Sequence, residues 1–261
     1  RLFDARDGAA RSARTSLAAT FDKLVAKGKI EAVAAAAALE RLQVADTLEA
    51  LADCDVVVEA IIERLDAKQE LLTRLEVIVS PDCILATNTS SLSVTAIARA
   101  CQTPERVAGF HFFNPVPMMD LVEVVRGVQT ADSVAESVEA VVLRLGKVPV
   151  RAANRPGFVV NRLLCPMINE AIFALSEGLA SAVVIDEAMK LGANHPIGPL
   201  ALCDLIGLDV QLAVVGAGQG QRLAPGAGER QPAAEQQGPC RAPDRARACG
   251  AACKRHGGPR S

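Results

Sequence analysis

The run His111–Val125, HFFNPVPMMDLVEVV, is the densest stretch of chemically usable groups in the sequence. His111 opens it, Asn114 and a Pro-x-Pro turn follow, and Glu123 lies inside an apolar segment typical of a strand. A carboxylate in such a segment is costly to bury unless a partner compensates it. If a hairpin brings Glu123 to His111, the carboxylate would fix the imidazole tautomer and make His111 a general base. The alternative is a core histidine with satisfied hydrogen bonds and a glutamate on an edge strand.

Composition limits the class of protein. The chain has 261 residues, of which 50% are hydrophobic, and its net charge is −2. One large domain or two smaller ones are therefore possible, and no charge excess favours nucleic acid or an anionic membrane as partner. The apolar runs are short and interrupted by charges, so we expect no transmembrane helix, and residues 1–12 do not resemble a signal peptide.

The eight cysteines are scattered without regular spacing. In a chain without a recognisable signal peptide, this pattern favours reduced thiols in a cytoplasmic protein over a disulfide framework. Cys249, Cys253 and His256 are spaced like metal ligands but lack a fourth ligand. We therefore expect no zinc site.

Short apolar strands alternate with amphipathic helices as far as Val150. Strands are predicted at Val56–Ala60, Ile84–Ala86, Arg106–Phe110 and Val148–Val150, and the first is typical of a strand buried on both faces. The alternation predicts an α/β fold with a Rossmann-like, doubly wound, mostly parallel sheet. Ligands of such sheets bind beyond the carboxyl ends of the strands. The sequence places polar groups at those ends: Asp4, Glu63, Asn88 with Ser90, and His111 with Asn114.

The pattern divides the chain into three regions. Residues 1–153 carry the alternation, Asn154–Gly157 form a turn, and residues 154–215 have only helical periodicity, as expected of an all-α domain. Residues 216–261 contain one Leu and no Val, Ile or Phe. Such a segment cannot bury enough apolar surface to fold, so we expect a disordered tail. A shifted reading frame in GC-rich DNA is the favoured origin of its composition.

Several candidate groups also have purely structural interpretations. Glu63 and Lys68, just beyond a predicted strand end, would line a nicotinamide pocket or start a solvated helix. Asn88 and Ser90 would bind a ligand or cap the next helix. Asn161, near the start of an apolar helix, needs partners that are either backbone groups or a ligand carbonyl.

Four segments together resemble the L-3-hydroxyacyl-CoA dehydrogenase family, in particular its bacterial 3-hydroxybutyryl-CoA type. In order along the chain, they are TNTSSL, GFHFFNPVPMMDLVEVV, RPGFVVNRLL and AMKLGANHPIGPLALCDLIGLD. The resemblance extends from Arg1 to about Val215. It implies NAD-dependent oxidation of a short (3S)-3-hydroxyacyl-CoA to the 3-ketoacyl thioester, as in fatty-acid or aromatic degradation. Such a reaction needs a bound carrier because no side chain accepts a hydride.

The resemblance also implies roles for individual residues. His111 would take the proton of the substrate 3-hydroxyl, and Glu123 would orient and polarise the imidazole. Ser90 and Asn161 would hold the oxygen-bearing end of the substrate, and Asn114 would sit beside the catalytic histidine.

On the cofactor side, the resemblance makes Asp4 the acid that takes the adenosine ribose hydroxyls of NAD. The remaining implied lining of the cofactor site is Ala60, Glu63, Lys68 and Asn88. The family begins with a strand and a Gly-x-Gly-x-x-Gly turn that cradles the pyrophosphate, whereas only Gly8 and Gly28 precede Gly109 here. We therefore expect the chain to begin after that turn and to bind NAD weakly. A homodimer through the helical domain is implied for the intact parent protein.

Two alternatives remain open. The first is a descendant of the family that is catalytically weak, or that has no catalytic activity and either binds acyl-CoA or is structural. Only the two ends of the chain favour it. A different hydroxy-acid dehydrogenase with the same two-domain plan would use a lysine base in the helical domain, whereas HFFNP favours His111 as the base.

Overall fold

A computed structural model of the chain describes residues 1–209 and 211–212. Strands and helices alternate as far as Ala153 and only helices follow. The strands are β1 Val56–Glu59, β2 Ile84–Thr87, β3 Val107–Phe112, β4 Leu121–Arg126 and β5 Val148–Ala153. The helices are α1 Ala9–Ala26, α2 Ala32–Arg41, α3 Leu65–Ile78, α4 Val94–Ala98, α5 Asp132–Arg144, α6 Val160–Ser176, α7 Ala182–Gly192 and α8 Pro199–Ile206. Short 3-10 turns span Glu49–Leu51 and Pro104–Arg106.

These strands form one sheet in the order β1-β2-β3-β4-β5. β1, β2 and β3 are parallel, β4 runs antiparallel to β3, and β5 is parallel to β4. The antiparallel pair is the hairpin predicted around the Pro-x-Pro turn, and its register places His111 opposite Glu123. The predicted fold, a mostly parallel sheet followed by a helical region, is confirmed.

Two apolar clusters hold the helices on the sheet. One includes Leu72 of α3, Ile97 of α4 and Leu85 of β2. The other includes Ala86 of β2 and Val138 of α5. Because neighbouring strand residues point to opposite faces, the assignment of Leu85 and Ala86 to different clusters shows that helices cover both faces of the sheet.

β1 lies at an edge of this sheet, and its predicted burial on both faces was wrong. Val58 is 44% exposed, whereas β2 is buried at every position. In the part of the chain that the structure describes, β1 pairs with β2 alone, so one of its sides lacks the cover that an inner strand has. Leu2 and Val44 form a separate parallel bridge with each other.

The helical region is held together partly by one carboxylate. Asp186 of α7 accepts hydrogen bonds from the backbone N–H groups of Leu200 (2.8 Å) and Ala201 (3.0 Å), which fixes the first turn of α8 against α7. A Cβ on Gly198 would lie 2.2 Å from the Cβ of Asp186, so this close approach requires glycine. Gly207, with φ +101°, ends α8.

Several predictions concern cysteines, metals and membranes. The five cysteines in the described ranges, Cys54, Cys83, Cys101, Cys165 and Cys203, are unpaired. No metal-binding group of His, Cys, Asp or Glu occurs among the residues with a described structure. None of the helices within those ranges is long and apolar enough to cross a membrane. The predicted tail, 216–261, and its three candidate ligands lie outside the described residues.

Candidate active site

His111 and Glu123 face each other across the β3–β4 hairpin. Nδ1 of His111 lies 2.8 Å from Oε2 of Glu123, and the two side chains are 3% and 0% exposed. The other carboxylate oxygen, Oε1, accepts hydrogen bonds from the backbone N–H groups of Val159 and Val160, each at 3.0 Å. Both oxygens of Glu123 are therefore engaged, one by the imidazole and one by the start of α6.

The surroundings of Glu123 favour its charged form. Burial alone would raise the pKa of this carboxyl, but hydrogen bonds from His111 and from the Val160 and Val159 amides outweigh burial and place the pKa below its ordinary value. An ionised carboxylate next to Nδ1 requires the proton to sit on that nitrogen. The lone pair is then on Nε2, which can accept a proton.

The pKa direction of Glu123 predicts a difference in acid stability. Because its folded pKa is depressed, the stabilisation is fully present above the unfolded value of about 4.3 and is lost as pH falls through the lower folded pKa. Guanidinium unfolding of wild type and Glu123→Gln at several pH values should therefore show a stability gap at pH 7 that narrows below about pH 4.3. An equally narrowing gap for the exposed control Glu136→Gln would contradict this assignment.

Glu63 anchors the loop that follows β2. Its Oε1 accepts hydrogen bonds from the Thr89 hydroxyl at 2.5 Å and from the backbone N–H groups of Ser90 at 2.8 Å and Ser91 at 2.9 Å. The Ser91 hydroxyl donates to the same oxygen at 3.1 Å. Burial would raise the pKa of Glu63, but the Thr89 hydroxyl, the loop amides and the nearby Lys68 ammonium lower it below its ordinary value.

Lys68 lies beneath this loop as part of a buried ion pair. Its side chain is 1% exposed, and its Nζ lies 2.7 Å from Oε1 of Glu59 and 3.3 Å from Oε2 of Glu63. Glu59 also accepts hydrogen bonds from the Thr87 hydroxyl at 2.7 Å and the Ile61 amide at 2.6 Å. The sequence predicts no role for Glu59, which lies inside the strand expected at Val56–Ala60. An acid that ends an apolar run, with a lysine in the next helix, is the signal that could have identified it.

Two of the remaining candidates, Asn88 and Asn161, make contacts at this edge of the sheet, and two others are exposed. Oδ1 of Asn88 accepts a hydrogen bond from the backbone N–H of Phe112 at 2.9 Å, which ties the end of β2 to β3 next to the histidine. Nδ2 of Asn161 lies 3.5 Å from the backbone oxygen of Ser90, so the start of α6 reaches the same loop. Ala60 and Asn114 are exposed, and Asn114 precedes a cis peptide bond to Pro115.

Asp4 belongs to a separate cavity of about 270 Å³, formed by residues 3–8, the start of α1 and Val44–Asp46. The Arg6 side chain and the Arg6 backbone N–H both donate to the Asp4 carboxylate, at 3.2 and 2.8 Å, and hold its pKa below the ordinary value. Each carboxylate oxygen can accept more than one hydrogen bond. The carboxylate therefore keeps acceptor capacity for a further hydroxyl group at this cavity.

Comparison with known proteins adds an independent line of argument. Residues 1–155 match the family model described as 3-hydroxyacyl-CoA dehydrogenase, NAD binding domain, and residues 157–239 match the C-terminal domain of the same family. A 3-hydroxybutyryl-CoA dehydrogenase from Clostridioides difficile is 50% identical over 193 residues, which cover 74% of this chain and 69% of the relative. A probable 3-hydroxybutyryl-CoA dehydrogenase from Bacillus subtilis (strain 168) is 45% identical over 215 residues, with coverages of 82% and 75%.

Solved structures give the same result. The crystal structure of (S)-3-hydroxybutyryl-CoA dehydrogenase from Ralstonia eutropha superposes with a TM-score of 0.79 at 48% sequence identity. The match covers 81% of this chain and 75% of that one.

Proposed function

Because the chain belongs to the 3-hydroxyacyl-CoA dehydrogenase family, we propose that it oxidises (3S)-3-hydroxyacyl-CoA thioesters to 3-ketoacyl-CoA with NAD as cofactor. The observation that carries this proposal is the buried hydrogen bond of 2.8 Å between His111 and Glu123. It directs the Nδ1 proton of the imidazole at Glu123 and leaves Nε2 free of that contact, near the carboxyl edge of the sheet. Acceptance of a hydroxyl proton is the task that such an imidazole performs in alcohol oxidation.

In the proposed reaction, Nε2 of His111 accepts the proton of the substrate 3-hydroxyl. The charge that the imidazole gains is compensated by Glu123, whose carboxylate is held by the Val159 and Val160 amides. Bound NAD would supply the hydride acceptor. Ser90 and Asn161, which lie close together, would hold the oxygen-bearing end of the thioester.

We propose the following cofactor-binding residues. Asp4 would take the adenosine ribose hydroxyls in its cavity. Near the nicotinamide, Ala60 has no side chain beyond Cβ to obstruct a ring, whereas Asn114, on the exposed turn after His111, would contact the substrate. Asn88 would also line the nicotinamide site, and Glu63 and Lys68 would complete its lining.

A direct assay tests the function. The chain mixed with acetoacetyl-CoA and NADH should cause a fall in the nicotinamide absorbance, because the reverse reaction consumes NADH. Free acetoacetate, which lacks the CoA group, serves as the matched control and should react far more slowly. Unchanged absorbance at high protein concentration would count against the proposed activity.

We also propose that residues 1–153 form the NAD-binding domain and residues 154–215 a helical domain for substrate binding and dimerisation. The helical region carries highly exposed apolar side chains, at Leu163, Leu179, Val183 and Leu205, and such patches mark protein–protein contacts. Sedimentation analysis would test for a homodimer. The unpaired cysteines of the described ranges support a location in the reducing cytoplasm.

A further inference from the structure

The loop Thr89–Ser91 is held by a single oxygen atom. Oε1 of Glu63 accepts hydrogen bonds from three successive residues of that loop, and two of these bonds come from backbone N–H groups, those of Ser90 and Ser91. Bonds to successive amides fix the backbone direction of the loop. The contact with Ser90 uses its amide, so Glu63 does not use the hydroxyl assigned to the substrate.

Lys68 contacts the other carboxylate oxygen of Glu63 from the protein interior. A lysine ammonium has three N–H donors, and Nζ lies 2.7 Å from Glu59, 3.3 Å from Glu63 and 3.4 Å from the Ile61 backbone oxygen. At 1% exposure, its donors are directed at the protein interior. The ammonium therefore draws Oε2 of Glu63 inward and leaves Oε1 to face the loop.

The same loop also contacts the helical region. Nδ2 of Asn161 lies 3.5 Å from the backbone oxygen of Ser90. A shift of the loop would therefore change the position of Ser90 relative to Asn161, and both are assigned to the same end of the substrate.

From these contacts we propose that Glu63 is a positioning residue for Ser90, with Lys68 and Glu59 setting the orientation of its carboxylate. The inference rests on the proposed function, because Ser90 is assigned to the substrate there. It adds to the part played by Glu63 and Lys68, which act on the acyl-CoA through the loop as well as supporting the NAD site.

The test is a double-mutant cycle with Glu63→Gln and Ser90→Ala, read as kcat and KM for acetoacetyl-CoA and for NADH. Glu63→Gln keeps the shape of the side chain and removes its charge. It should lower kcat/KM for acetoacetyl-CoA about tenfold, because small displacements of a binding group are costly, and should change the KM for NADH less than about twofold. The double variant should be within about twofold of Ser90→Ala, since the two residues act through one group. The exposed Glu70→Gln on α3 is the matched control and should behave as wild type.

Three results would overturn the inference. A rise in the KM for NADH with acetoacetyl-CoA kinetics unchanged would make Glu63 a cofactor contact. Losses that multiply in the double variant would separate Glu63 from Ser90. If Glu63→Gln fails to fold, Ser91→Ala removes one donor to Oε1 and should cost about threefold in kcat/KM; an unchanged value would overturn the inference.

Failure of the proposed function has a different signature. Wild-type protein that neither turns over nor binds acetoacetyl-CoA would contradict the function itself, and the inference with it. Turnover by wild type without the expected behaviour of Glu63→Gln contradicts the inference alone.

Discussion

Replacement of His111 by glutamine is expected to lower kcat about a thousandfold, within the range of 10² to 10⁴ typical for loss of a general base. Glutamine can still donate a hydrogen bond to Glu123, so the buried carboxylate keeps a partner. Its carboxamide neither accepts a proton at working pH nor donates one as an imidazolium would. The oxidation therefore loses its base, and the reduction of acetoacetyl-CoA loses the corresponding acid. The measurement is the rate of nicotinamide absorbance change with acetoacetyl-CoA and NADH both saturating.

A second histidine provides the control. His195 lies in the segment between α7 and α8. The same substitution there, His195→Gln, should leave kcat within about twofold of wild type. A loss of less than about tenfold for His111→Gln, in protein with an unchanged circular dichroism spectrum, would contradict the assignment of His111 as the base.

Replacement of Lys68 by methionine should lower the free energy of unfolding by about 3–5 kcal/mol, because removal of one partner of a buried ion pair leaves an uncompensated charge. Glu59 is 3% exposed and would keep only the Thr87 hydroxyl and the Ile61 amide as donors. Guanidinium unfolding at neutral pH measures the effect. The exposed Lys190→Met on α7 is the matched control and should change stability by less than about 0.5 kcal/mol.

The double variant Glu59→Gln with Lys68→Met tests the electrostatic origin of that loss. It removes both charges, so it should be more stable than Lys68→Met alone even though one more residue is changed. Equal or lower stability of the double variant would show that the loss comes from packing of the lysine stem.

The His111–Glu123 pair could be predicted from the sequence because its geometry is local. Two strand-like runs separated by a Pro-x-Pro turn form a hairpin, and residues opposite each other in a hairpin share a face. Because burial of the Glu123 carboxylate in an apolar run is costly without a partner, its position indicates a contact with His111. The strand–helix alternation likewise predicted the mostly parallel sheet, since only a parallel arrangement accommodates it.

The Glu63 contacts could not be predicted in the same way. Glu63 meets Thr89 and Ser91 across separations of 26 and 28 residues, which are bridged by α3 and β2. Parallel strands pair through such long connections, so no local pattern sets which loop residues meet. The burial of Lys68 could not be predicted for another reason. Lysine is almost never fully buried unless it is paired, and the sequence pattern gives its partner Glu59 no role beyond its place in a strand. The exposure of Val58 follows from the edge position of β1 in the strand order, and apolar composition alone does not predict strand order.

Glu123 joins the hairpin to the start of α6, with one oxygen on His111 and the other on the Val159 amide, 36 residues further along the chain from Glu123. The imidazole therefore keeps its alignment only while the first turn of α6 stays seated on the hairpin. The proton transfer proposed for His111 would in this way be conditional on assembly: a molecule whose helical region is detached from the sheet would keep every reactive group but lose the orientation of the imidazole.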